Sequence, residues 1–150
     1  MKSNQLSLHE TQGGSVLRAA MTNAIAYYDG NTPMYPYISS LGPTYVTTVE
    51  GLSVPNQQSY AWTKCRSDSG YQGSDPYVSC VGSYLIWNTY WQNTKFSTQD
   101  QQRKISCHEV GHLTGLRHSS DTSSCMYYLA TAATTFRIDS YDLANLNAHY

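Results

Sequence analysis

With 150 residues the chain is one domain's worth, long enough to bury a core of its own. Nine Lys and Arg against ten Asp and Glu leave a formal net charge of −1. No basic patch or run of like charge argues for nucleic acid or a membrane surface, no apolar run approaches transmembrane length, and residues 1–150 are read as a single, monomeric domain.

Val16, Leu17, Ala20, Met21, Ala24, Ile25 and Tyr28 recur at helical spacing after Gly13 and Gly14, and Asp29, Gly30 and Asn31 close the helix they predict. That stripe is a core face without chemistry. Thr44, Tyr45, Val46, Thr47, Thr48 and Val49 are β-branched or aromatic, bounded by Gly42-Pro43 and Glu50-Gly51, and give the clearest strand. Residues 59–63, about 77–81, and 84–88 are further strands. A second helix starts at Ser97 or Thr98, where Thr98 and Gln101 form a capping-box pattern, and runs to about Gly115. A third covers about 140–150, capped by Asp139 or Ser140, with Leu143, Leu146 and Tyr150 on one side. Trp62, Trp87 and Trp91 are read as core and cleft wall, since no basic residues interleave with them to make a stacking platform. His9 and His149 are expected to face solvent, and Asn88 receives no catalytic role.

The chemistry is concentrated at the end of the second helix. His108 and His112 are four residues apart, so they lie on one helical face and offer two imidazole nitrogens to a single metal ion. Glu109 stands beside them. For a third ligand the helix must end and the chain reverse, which Gly115 permits because glycine enters the left-handed region at no steric cost. His118 then closes the coordination and leaves a fourth position for water.

His108, Glu109, His112, Gly115 and His118 spell H-E-x-x-H-x-x-G-x-x-H, which resembles the signature of metzincin zinc metallopeptidases. Ser124, Cys125, Met126, Tyr127 and Tyr128 resemble the methionine turn of that clan, in which Met126 floors the imidazoles without binding metal. Ser119, the Gly115-Leu116 pair and residues 139–150 are similar to matrixins. The Ser124-x-Met126-x-Tyr128 spacing is similar to astacins and serralysins, where the tyrosine steadies the developing oxyanion; by that match Tyr128 joins Glu109 as a catalytic candidate. The resemblance implies an α+β, metzincin-type zincin fold: a twisted mixed β-sheet over a cleft, an active-site helix, a methionine turn and a C-terminal helix. It also implies one catalytic Zn2+. A matrixin's second, His-rich zinc site is not available, because no histidine lies between His9 and His108, and the sparse acidic residues give calcium no support.

Four cysteines, Cys65, Cys80, Cys107 and Cys125, suit two disulfides. Of three pairings, Cys65 with Cys80 staples the Gly- and Ser-rich loop between them, and Cys107 with Cys125 ties the zinc helix to the turn beneath it. Cysteine metal ligands are the rival reading, weakened by the absence of C-x-x-C. Disulfides and a composition poor in charge point to a secreted, extracellular or periplasmic protein. Since Ser3-Asn4-Gln5 is polar where an apolar signal segment would begin, such a protein is expected here as a mature form, with Met1 supplied for expression.

The function implied is zinc-dependent endopeptidase action on an extended peptide or unfolded protein, with Glu109 as general base. An edge strand of the sheet would receive the peptide, with residues 71–81 as candidate. The wall of the pocket beyond the scissile bond is expected at about residues 127–137, where Leu129, Ala130, Ala132, Ala133 and Phe136 suggest an apolar preference. Two alternatives stay open: a zinc amidase or esterase on a non-peptide substrate, and a degenerate fold member that binds proteins or glycans through its tyrosines.

Overall fold

The strands of the computed structural model lie in one mixed sheet, and their order decides where a cleft can open. The structure describes residues 5–12, 14–38, 47–66, 82–91, 95, 98–129 and 135–150. Along the chain come β1 (Gln5–Gln12), α1 (Gly14–Asn31), β2 (Tyr35–Ile38), β3 (Thr47–Leu52), β4 (Ala61–Arg66), β5 (Gly82–Asn88), α2 (Gln99–Leu113) and α3 (Ser140–His149). The sheet order is β2-β1-β3-β5-β4. The first four of these strands run parallel to one another, and β4 pairs antiparallel with β5, placing Ala61 opposite Trp87 and Thr63 opposite Leu85. Parallel neighbours need a crossover, which α1 supplies between β1 and β2. At the other end, β4 has no second strand partner among the described residues.

The strands expected at 44–49, 59–63 and 84–88 correspond to β3, β4 and β5, with β4 reaching on to Arg66. The one expected at about 77–81 lies outside the described residues. β1 and β2 have no counterpart in the sequence reading. In β1 only Leu6 and Leu8 alternate among polar residues, so its strand character comes from ladders on both sides. β2 contains Pro36, which argues against a central strand; it sits at the sheet edge, where a missing N–H is tolerated.

The core forms where α1 and α2 meet the sheet. Ala20, Met21, Ala24 and Tyr28 of α1 pack with Leu85 and Trp87 of β5 and with Ile105, Cys107 and Val110 of α2. Leu85 and Trp87 share a face by the two-residue period of a strand. Leu116, Cys125, Met126, Ile138 and Leu146 complete the cluster, so the segment after α2 is built into the same core. The Tyr28 hydroxyl donates to the Cys107 carbonyl at 3.0 Å, fixing α1 against α2 just before His108. Buried completely, that phenol is held well above its ordinary pKa, which keeps its proton on the donor.

Local chemistry sets the starts of α2 and α3. Thr98 and Gln101 form the capping box at α2, and Asp139 caps α3 by accepting from the Asp142 amide at 2.8 Å.

Candidate metal centre

The end of α2 is built by a glycine. Gly115 has φ 93°, the Leu116 amide donates to the Gly111 carbonyl at 3.0 Å, and the Gly115 amide donates to the His112 carbonyl at 3.1 Å. These are the two bonds of a Schellman ending. The reversal turns the Leu116 carbonyl back onto the ring of His112, whose Nδ1 lies 2.9 Å away, and carries His118 toward the helix face.

His108 makes the corresponding contact on the other side, its Nδ1 being 2.8 Å from the Cys125 carbonyl. A carbonyl only accepts, so both Nδ1 atoms carry protons and both Nε2 atoms present bare lone pairs. Those two Nε2 atoms stand 3.0 Å apart, too close for two acceptors unless something positive lies between them. Two nitrogens on one tetrahedral zinc at about 2.0–2.1 Å would be separated by about 3.3 Å. The ring of His118 joins them, with centroids 5.1 Å from His108 and 5.0 Å from His112, and one nitrogen from each of the three rings falls within 4.8 Å of the others. The donor set fits a zinc ion. Burial pushes the His108 imidazole down to about 3, helped by the neighbouring His112, His118 and Lys104 and opposed by the Cys125 carbonyl. His112 and His118 are also lowered, chiefly by burial. All three rings are therefore neutral at physiological pH, the form that ligates metal.

Glu109 is 4% exposed and faces β4. The Thr63 hydroxyl lies 2.7 Å from Glu109 Oε2 and 3.3 Å from the Glu109 carbonyl, joining strand to helix beside the triad. Burial raises the carboxyl to about 7, with the Thr63 hydrogen bond working in the opposite direction.

The methionine turn is held from several sides. Ser124 Oγ accepts from the Met126 amide at 3.1 Å, the Cys125 amide donates to Arg137 and the Ser119 amide to the Met126 carbonyl. Cys107 and Cys125 form a disulfide, which joins α2 to the turn as expected, and no described cysteine is free. Cys80, the expected partner of Cys65, lies outside the described residues. A side chain at Gly111 would place its Cβ 2.3 Å from Met126 Sδ and 2.8 Å from the Tyr28 hydroxyl, so Met126 lies hard against α2 between the first two histidines. Tyr128 is beside His118, ring centroids 6.5 Å apart, but is 61% exposed. Thus the structure brings His108, His112, His118 and Glu109 together and leaves Tyr128 at the rim.

The edge strand beside the site is β4, whereas the expected 71–81 lies outside the described residues, as do Ala130, Ala132 and Ala133 of the expected pocket wall. Of that wall, Leu129 is exposed and Phe136 packs against the core. Thr63 and Lys104 are the site neighbours that sequence reasoning missed. Thr63 gave no signal, because its partner lies 46 residues away. Lys104 gave one: it falls four residues before His108, on the ligand face.

A family model described as Matrixin matches residues 56–150. No curated protein sequence matches the chain. Among solved structures, the fold is similar to archaemetzincin from Archaeoglobus fulgidus with a TM-score of 0.55 at 10% identity, covering 93% of this chain and 98% of that one.

Proposed function

Because the chain belongs to the matrixin family of zinc metallopeptidases, we propose that it is a secreted endopeptidase that holds an extended peptide along β4 and hydrolyses it beside His108, His112 and His118. The observation that carries this reading is the convergence of three neutral imidazoles, two from α2 and one from the reversal after it, with the buried carboxylate of Glu109 on α2 beside β4.

Zinc bound by the three histidines supplies Lewis acidity, polarising the scissile carbonyl and bringing the pKa of a water toward about 7. The Cys125 and Leu116 carbonyls hold His108 and His112 in the tautomer that leaves Nε2 bare, the atoms that would ligate the ion. Glu109 is the general base: its carboxylate takes the proton of the attacking water and delivers it to the leaving amine. Thr63 restricts that carboxylate to one orientation. Tyr128, at the rim beside His118, supplies a phenol donor to the negative charge that develops on the scissile oxygen.

The edge of β4 that no described strand covers offers backbone donors and acceptors to a substrate strand, a mode that selects unfolded or loop segments because a folded chain has already paired its own. The Cys107–Cys125 disulfide supports an oxidising compartment.

Casein incubated with the zinc-loaded protein is expected to be cleaved, and a chelator to stop cleavage. Glu109→Gln is expected to keep its zinc while turnover falls by about 10²–10⁴-fold, the usual worth of a general base. Zinc-replete Glu109→Gln with wild-type turnover would remove Glu109 from this role.

A further inference from the structure

One buried charge on α2 has no part in this chemistry. Lys104 is 2% exposed, although an ammonium is among the costliest groups to bury. It stands one helical turn before His108 on the ligand face. Its Nζ donates to the Tyr127 carbonyl at 3.2 Å and to the Leu129 carbonyl, and lies 5.9 Å from the centre of the Tyr127 ring. Among the described residues no carboxylate pairs with it.

Packing does not account for a lysine here, since an apolar side chain of similar length would fill the space at lower cost. What the ammonium adds is donors. Tyr127 makes only an isolated bridge with Ser119, and among the described residues neither its carbonyl nor that of Leu129 accepts from a backbone amide, so the ammonium supplies a donor that the main chain does not. These two carbonyls bracket Tyr128. The exposed Tyr128 ring rests on its neighbour Tyr127, ring centroids 4.9 Å apart, and Lys104 holds the backbone of that same pair, so the position of the phenol depends on the backbone that carries both rings.

We infer that Lys104 is a positioning residue: it grips the backbone on both sides of Tyr128 from within α2 and so keeps the phenol beside His118. The clamp stands on the geometry alone, whereas its catalytic consequence rests on the peptidase reading and on the role given there to Tyr128.

Two measurements on the zinc-loaded full chain separate these. Hydrogen exchange of the peptide covering residues 126–129 is expected to quicken about tenfold in Lys104→Met, which keeps the methylenes and removes the donors, while zinc content is unchanged. For catalysis, Tyr128→Phe is expected to lower kcat about 100-fold and Lys104→Met about tenfold with KM unmoved, and Lys104→Met should add nothing further in the Tyr128→Phe background. Unchanged exchange in Lys104→Met overturns the inference, and so does a kcat loss that is equally large with and without the Tyr128 hydroxyl. If Lys104→Met does not fold, Lys104→Leu, which also lacks a donor, is read by the same two criteria. A zinc-loaded wild type that cleaves nothing defeats the peptidase reading instead, and exchange alone then decides the clamp.

Discussion

At the level of single residues, the site depends on side chains that are absent or uncharged as much as on those that act. Gly111 sits between His108 and His112 because nothing larger fits over Met126 and Tyr28. Alanine there gains helix propensity of about 1 kcal/mol, but its methyl must displace a fully buried methionine and a phenol already bonded to Cys107. Overpacking of that kind costs about 1–3 kcal/mol, so Gly111→Ala is expected to lower the thermal midpoint, as calorimetry can check. Asp142 shows the opposite tension. Its Oδ2 is buried with no hydrogen-bond partner among the described residues, and burial, then the nearby Asp139 charge, raise its carboxyl to about 6 from 3.8. The folded state therefore holds that proton more tightly than the unfolded chain, and stability is lost as pH rises from about 4 through about 6. Asp142→Asn should stabilise the protein above pH 6 by about 1–2 kcal/mol and have little effect at pH 4, measured by urea unfolding at both pH values. A gain at pH 4 as large as that at pH 7 would contradict this assignment.

At the level of elements, legibility followed the range of the interactions. α2 was readable because its capping box, ligand spacing and C-terminal glycine are all local, and its observed ends differ little from those expected. α1 and α3 were readable from their apolar stripes. β1 and β2 were not, since a polar sequence and an internal proline become strands only once neighbours supply the ladder. Thr63 belongs to the same class, its partner lying 46 residues away, and Lys104 belongs to it in part: its place on the ligand face is local, but its partners lie 23 and 25 residues on. Asn88 extends the point, for sequence gave it no catalytic role and the structure makes it the anchor of the chain between β3 and β4. Fully buried, its side chain accepts from the Val54 amide at 3.0 Å and donates to the carbonyls of Val54, Gln57 and Ser59 at 2.8, 3.2 and 3.2 Å. Asn88→Ala takes this partner from the Val54 amide and the Ser59 carbonyl, whereas the Val54 carbonyl keeps the Gln57 amide and the Gln57 carbonyl keeps Trp91 Nε1, and it is expected to cost about 1–3 kcal/mol. Urea midpoints would show it, and limited proteolysis should find new cleavage at residues 53–60.

Over the whole molecule, segments far apart in the chain meet at one site. The family match begins at residue 56, yet α1 lies upstream of it and braces α2 through Tyr28 and Cys107. Downstream, the disulfide, the Met126 contact and the Lys104 bonds tie the turn to the same helix. A cradle so braced is expected to bind zinc with little rearrangement, because the rings are already oriented by carbonyls from outside the ligand set. The most direct test is the metal content of purified wild type and His118→Ala after zinc loading and dialysis. The account predicts one zinc per wild-type chain and its loss from His118→Ala, whereas a wild type that retains no zinc, or a variant that retains a full equivalent, would contradict it.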